Sequence, residues 1–464
     1  MKAHRLTALL LSICCLLCGC TGATGVSQDV GYAADPFGWD KTSAEADLSY
    51  EVPVTTPNIL VNRLGYEGDS DKTVIFKGEN LPVSFTVRDA LTDETVYTGI
   101  VKSGGYDEQS GEYISYGNFS DFQKEGRYYV QMDVIGESYP FLIHDNLYYS
   151  FFQRACSQFY RMRSENSGNS QPGGWQMQEK GENRQIRSCI VIYELLTSYE
   201  LFSGVYSDDT GIAESGNGIA DILDECRYEL SWLMEQARIN PDENGTICGY
   251  RAAVFARASY LFRDVDNAFA GECLKVAENS WKSARKDLTV PEELIFLSSA
   301  ELYRLVGSNQ YRVVAEEYLE KAVERQMQLT DSEFFGSITY LNTKNKVNVS
   351  LCDRVIKKVM AEVELLVERS KSERYLVCSE GTPEDNSALL QQMIRVCIIN
   401  HIITNHEYNT VIENHFHYLM GCNPQAICYA SEWDGKPLTE TDIFSDPVQN
   451  AAFIFMMSEF LSNR

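Results

Sequence analysis

Between Pro57 and His144, apolar and polar positions alternate along the chain. The runs "VSFTV", "ETVYTGIV", "RYYVQM" and "YPFLI" read as short strands, parted by Gly, Asp and Asn turns. Roughly ninety residues of this kind predict a β-sandwich. After His144 the period changes to that of a helix. "ILDECRYELSWLMEQ" places Leu223, Cys226, Leu230 and Leu233 on one stripe. "EELIFLSSAELYRLVG" and "QYRVVAEEYLEKAVERQM" behave alike, separated by the stop signal Gly307-Ser308-Asn309. The pattern predicts about eleven or twelve helices, mostly in hairpins, closing into a bundle, a solenoid or a double-layered barrel. The chain shows no repeat at a fixed period, which disfavours the solenoid.

The first residues break this pattern. Lys2 and Arg5 precede the apolar run "LTALLLSICCLLCG", too short to cross a bilayer as a finished helix. It ends in "LCGC", residues 17–20, which resembles a bacterial lipobox despite Cys18 in its middle slot. That resemblance implies that residues 1–20 are a lipoprotein signal peptide and that Cys20 becomes a lipidated first residue. Two acyl chains suffice for a stable anchor. The expected location is the bacterial cell surface, exported and membrane-anchored. Residues 21–56, rich in Thr, Ser, Gly, Ala and Asp, read as a flexible tether.

Charge narrows the partners. The chain of 464 residues has 66 Asp and Glu against 40 Lys and Arg, a formal charge of −26. That excludes nucleic acid and suits a neutral substrate such as a glycan. Acidity of this kind also serves solubility alone. Ten cysteines follow Cys20 with no C-x-x-C pair, so neither a zinc site nor a redox pair is expected. Cys189, Cys226, Cys273 and Cys397 fall on apolar helical faces and read as buried thiols. His401, His406, His415 and His417 cluster in one segment without H-E-x-x-H, and read as helix-surface histidines. In "ESGNGIADILDE", Asp221 reads as a helix cap. No cofactor is expected.

Several longer segments resemble a known family. "ILVNRLGYEGDSDKTVIF" resembles the first strands of the immunoglobulin-like domain that precedes many glycoside hydrolase family 9 cellulases. "DFQKEGRYYVQM" and "SYPFLIHDNLYYSFFQRACSQFY" resemble its last strands and the first helix of the catalytic domain. "YELLTSYELF", "ESGNGIADILDECRYELSWLMEQ", "SAELYR", "YLMGCNP" and "QNAAFIFMMSEFL" continue the likeness to the C-terminus. The resemblance implies a multidomain protein: an immunoglobulin-like β-sandwich over 57–144, followed by an all-α (α/α)6 barrel over 145–464. The family inverts glycosidic linkages with two carboxyl groups roughly 6.5–9.5 Å apart, a water between them. Its base lies in Gly-Gly-Trp-(His or Tyr)-Asp-Ala-Gly-Asp. Its acid is the Glu of an Asn-Glu pair six residues before the Asn-Ala of the last helix.

At those positions this chain departs from the family. After Trp175 the Asp positions hold Met177 and Lys180, and the acid's position holds Phe444. A thioether takes no proton from water, an ammonium has the wrong charge, and a phenyl ring has no proton to give. Glu179, Glu182, Glu440, Asp442 and Asp446 lie near enough in sequence to stand in. Trp175, Tyr429 and Trp433 are the candidate sugar-stacking rings, although packing against the nearby helix is the favoured reading of Trp175. The stretch from Arg163 to Gly173, the crossing "QARINPDENGTICGYRAAV" and the segment after "GCNP" are all shorter than in the family. The Pro-His-His-Arg motif is missing, and Cys422 replaces an arginine. Relatives that bind structural calcium leave that ion open, but no Asp/Asn loop carries it over. The favoured expectation is a lipoprotein with a cellulase-like scaffold that binds polysaccharide or oligosaccharide without cutting it. The alternatives are an endo-β-1,4-glucanase using relocated carboxylates, and a non-catalytic scaffold for a protein partner.

Overall fold

The structure is a computed structural model that describes residues 48–163, 173–240, 244–378, 386–430 and 442–463. Cys20, Trp433 and Glu440 lie outside the described residues, as does most of the expected signal and tether.

The alternating segment folds into two sheets. One has the order β1 (Ile59–Leu60), β2 (Thr73–Lys77), β6 (Glu112–Asn118), β5 (Lys102–Asp107). The other has β4 (Thr95–Ile100), β3 (Ser84–Asp89), β7 (Gly126–Met132), β8 (Gly136–Glu137), with β9 (Phe141–Ile143) also on β7. All pairings between these strands are antiparallel. Inward positions of the pleat, such as Phe85 and Val87 on β3 and Tyr128, Val130 and Met132 on β7, meet Val74 and Phe76 of the other sheet. The sandwich recruits the chain before residue 57. Ser49 N–H donates to Ala90 O at 2.7 Å, and Tyr50 stacks on Tyr129 with centroids 3.8 Å apart. The expected tether boundary at 56 is therefore too late, because an aromatic pair and a backbone bond already fix residues 49 and 50.

Twelve helices follow among the described residues. They are α1 (Leu147–Arg161), α2 (Gly181–Phe202), α3 (Asp221–Ile239), α4 (Gly245–Phe262), α5 (Asn267–Ala284) and α6 (Glu292–Val306), then α7 (Asn309–Ala322), α8 (Asp331–Leu341), α9 (Val349–Ser372), α10 (Asn386–Ile402), α11 (His406–Leu419) and α12 (Pro447–Ser462). Burial sorts them into two layers. On α5 only the stripe Ala270, Cys273, Ala277, Ser280, Trp281 and Ala284 is buried, and α9 buries a similar stripe from Leu351 to Ser370. By contrast α4 is buried at every position from Arg251 to Ser259, α6 from Phe296 to Arg304 and α12 from Asn450 to Phe460. A helix buried all round belongs to an inner layer and a striped one to an outer layer. The even-numbered helices are inner neighbours: α4 beside α2 and α6, α6 beside α8, and α12 beside α2 and α10. This is the (α/α)6 barrel.

The inner layer is held by charge as well as by apolar packing. Glu301 on α6 is fully buried and accepts from Arg257 Nη2 at 2.6 Å, Arg304 Nη2 at 3.1 Å, Tyr193 OH at 2.6 Å and Thr339 Oγ1 at 2.7 Å. Burial alone would raise its carboxyl, but the two guanidiniums overcome that and hold it at about 2.

Two expectations about single residues change in three dimensions. His401 and His406 are exposed, but His415 and His417 are buried. His417 joins the two folds: its Nδ1 accepts from Asn62 Nδ2 at 3.0 Å and its Nε2 donates to Asp71 O at 2.9 Å. His415 donates from Nδ1 to Val411 O and accepts the Cys378 N–H at Nε2, and burial pushes it down to about 4. Their segment lies where the barrel meets the sandwich, which a helix-surface reading could not foresee. Asp221 does not cap its helix, whose N-cap is Ala220. Its Oδ2 instead binds Thr210 N–H and hydroxyl and the Ser215 hydroxyl, pinning the preceding loop. The cysteines that the structure describes are free thiols, buried except for half-buried Cys352.

Candidate functional site

The segment that opens the site is a short strap. Its described part begins at Gly173 and runs beside the end of α1 at Met162. Trp175 pairs with Arg163 in an antiparallel bridge, and Gln176 N–H donates to Met162 O at 2.6 Å. Gly174 sits at φ +71°, where a Cβ would come within 2.9 Å of Arg184 Nη2, Trp232 Cγ and Glu229 Oε2. Two glutamates one turn apart on α3 grip the strap from below. Glu229 Oε2 accepts the Trp175 backbone N–H at 2.5 Å, and its Oε1 accepts the Ser188 hydroxyl at 2.6 Å. Glu225 Oε2 accepts the indole N–H at 3.3 Å, while Oε1 lies 2.9 Å from Arg163 Nη2. Burial pushes both carboxyls up to about 7, in Glu225 against the opposing pull of Arg163.

Trp175 is therefore a packing residue. It is fully buried, with its ring 4.7 Å from that of Phe159. A sugar ring needs an open face, and this indole has none. The same correction applies to Tyr429, 1% exposed, whose segment pairs through the backbone with Leu419 and Ile443. Both rings were candidates for stacking on a sugar, and both are spent on the core, as the packing reading of Trp175 had it.

Beyond the strap opens a cleft of about 800 Å³. Met177 and Phe444, far apart in sequence, both line it. Phe444 is turned into the core against Phe151 and Phe453, at 5.6 and 6.2 Å between centroids. Lys180 is the exposed residue before α2 and is not in the cleft wall. Of the acidic stand-ins, Glu179 and Asp446 reach the cleft. Arg187 from α2 lies between them. Its Nε is 3.1 Å from Glu179 Oε1 and its Nη2 2.5 Å from Asp446 Oδ1. Asp446 also caps α12 through Val448 N–H at 2.8 Å. Glu182 is exposed and takes Asn244 Nδ2 at 3.4 Å, away from the cleft. Asp442 is buried and caps the turn that carries Phe444, accepting its N–H at 2.9 Å. These two expected stand-ins fail on position, because one faces solvent and the other is consumed by a backbone cap. Gln158, Gln176 and Gln178 give the rest of the wall amide donors and acceptors.

The sequence reading missed Arg187, Glu225, Glu229 and Glu194. Each is a charged residue on a largely apolar helical stretch, a weak signal that marks either a buried partner or a solvent-facing position. Among the described residues, no cluster of three or more His, Cys, Asp or Glu could hold a metal ion.

Comparison with known proteins places these features. Residues 54–137 match the family model of the cellulase N-terminal ig-like domain, and residues 237–442 match that of glycosyl hydrolase family 9. The second match lies between the strap and Phe444, so it rests on neither. A cellulose 1,4-beta-cellobiosidase of Acetivibrio thermocellus is 20% identical over 84% of this chain, which spans 59% of that relative's length. A cellodextrinase of Butyrivibrio fibrisolvens is 21% identical over 80% of this chain and 84% of its own. Among solved structures, a metagenome-derived glycoside hydrolase family 9 endoglucanase superposes with a TM-score of 0.72 at 18% identity, covering 87% of this chain and 99% of that one. A Bacteroides ovatus protein of the same family gives 0.70 at 16% identity, over 88% and 100%. At these identities the likeness establishes the fold: a β-sheet domain followed by the helical barrel of family 9.

Proposed function

We propose, from the premise that this chain has the architecture of the glycoside hydrolase family 9 cellulases, that it is a surface lipoprotein that binds β-glucan or a related polysaccharide without hydrolysing it. One observation carries the reading. The two carboxylates that reach the cleft share a single guanidinium, Arg187. Inverting hydrolysis needs one carboxyl to protonate the leaving oxygen and a second to activate a water held between the two. Here an arginine stands between them, one oxygen of each is held by its fork, and a guanidinium does not give up its proton. Met177 and Phe444 add nothing that transfers a proton.

Binding survives this loss on chemical grounds. Gln158, Gln176 and Gln178 with Arg187 offer donors and acceptors suited to sugar hydroxyls. With Trp175 and Tyr429 buried, recognition rests on hydrogen bonds, with Trp433 the remaining candidate for stacking. The anchor at Cys20 belongs to the same proposal and rests on the lipobox-like "LCGC".

The test is direct. Purified protein should be retarded in gels containing soluble β-glucan and should release no reducing sugar from it. Gln178→Ala should weaken retardation. Sugar release that disappears in Glu179→Gln or Asp446→Asn would sink the reading and make the chain a glucanase. Cys20→Ser should move the protein from the detergent phase to the aqueous phase in detergent partition.

A further inference from the structure

A second cavity, of about 240 Å³, lies inside the ring of inner helices and shares no wall residue with the cleft. All six even-numbered helices contribute to its wall, from Cys189 on α2 to Val448 on α12. Most of the wall is apolar, with the rings of Tyr193, Tyr250 and Phe335. Two acids interrupt it, Glu194 and Asp331, and no lysine or arginine lines it. Glu194 is 2% exposed. Its Oε1 accepts from Gln391 Nε2 at 2.7 Å, and its Oε2 is buried with no hydrogen-bond partner. Asp331 stands at the rim, half-exposed and paired with Arg395 at 2.7 Å.

An unmet carboxyl oxygen in an apolar pocket is costly, and a buried carboxylate is tolerated when a cation meets it. Aromatic faces around it favour a cation further. A neutral apolar ligand would leave Oε2 unmet, and an anion would face two acids. We propose that this axial cavity binds a small organic cation, a protonated primary amine on a compact hydrocarbon or sugar body, with its ammonium on Glu194 and the aromatic rings around it. The inference goes beyond the polysaccharide reading, which concerns the other cavity.

The charge state of Glu194 supplies a signature. Burial, with Asp331 and Asp446 adding repulsion, pushes its carboxyl up to about 8. The other titratable groups around it are the Cys189 thiol, Tyr193 and Tyr250, the two tyrosines neutral near pH 7, and Arg395 and Arg187, each already paired with one of those aspartates. At pH 7 the acid therefore holds its proton. Docking of an ammonium ionises it, and the proton leaves to solvent.

Calorimetric titration of the whole protein with cyclohexylamine, glucosamine and glucose tests this. Saturable binding of at least one amine is expected, with glucose weaker by about tenfold or more. Comparison of buffers of different ionisation enthalpy should show release of close to one proton per amine. Glu194→Gln, nearly isosteric, should weaken the amine about tenfold and abolish proton release. Asp331→Asn, at the half-exposed rim, should weaken it by about twofold to fivefold and keeps the question answerable if the first variant does not fold. The two amines distinguish a hydrocarbon body from a sugar body. Equal affinity for glucose and glucosamine, no binding of either amine, or parental affinity in both variants would overturn the proposal. None of these outcomes bears on retardation by β-glucan, which reads the cleft.

Discussion

The backbone N–H of Trp175 donates to Glu229 Oε2 at 2.5 Å, so the edge of the cleft is tied to a carboxyl that lies in the core. The folded pKa of Glu229, about 7, is above the value of 4.5 for a free glutamate. Between these values the folded state holds more protons than the unfolded chain. Stability from this group is full below about 4.5 and is lost as pH rises through about 7, a change on the order of 3 kcal/mol. Thermal melts should therefore show a fall in Tm between pH 5 and pH 8, and Glu229→Gln should make that fall smaller. An unchanged pH slope in the variant would count against a protonated Glu229. Glu301 cannot mimic the effect, because its depressed pKa costs stability only as pH falls from about 4.5 through about 2.

The strap should tolerate no side chain at Gly174. A Cβ there would add to the positive φ a contact of 2.8 Å with the Trp232 ring. Gly174→Ala should destabilise by about 2 kcal/mol or more in urea denaturation. Parental stability would mean that the strap lies elsewhere.

Breaking the arginine clasp should cost little stability and restore no chemistry. Arg187 and its two partners are each about 30% exposed, so Arg187→Ala should lower stability by about 1 kcal/mol. Release of reducing sugar from β-glucan should stay at background, because freeing two carboxylates does not by itself create a held water and a proton donor opposite it. Sugar release in this variant would show that the arginine alone silences the site.

Glu301→Ala should be far more harmful. It takes a fully buried carboxylate from Arg257 and Arg304 and leaves the two guanidiniums with Glu200 alone between them. Loss of one partner from such a buried network costs about 3–5 kcal/mol, measurable as a lower urea midpoint at pH 7.

Much of this architecture was legible in the chain. Alternation to His144 and the helical period after it are local properties, and they predicted the sandwich and the helices because each residue's neighbours in sequence decide which face it shares. The stripe Leu223, Cys226, Leu230 and Leu233 is buried as read. Met177 and Phe444 could be named in advance, since each needed only a short segment around it. Glu179 and Asp446 were named too, but not Arg187 between them. That residue faces the cleft only because α2 and α12 lie side by side.

The sequence by itself settled the order of elements and the change from strand to helix, and it named Met177, Lys180 and Phe444 as the residues at the matched positions. It could not decide which aromatic rings stay open, which acids are capped or paired, or which histidines are covered. Those answers depend on what approaches from distant segments: Phe159 and Glu229 on Trp175, the backbone cap on Asp442, the sandwich on His417. Periodicity is written in neighbours along the chain, whereas burial and charge pairing belong to contacts that exist only once the barrel closes.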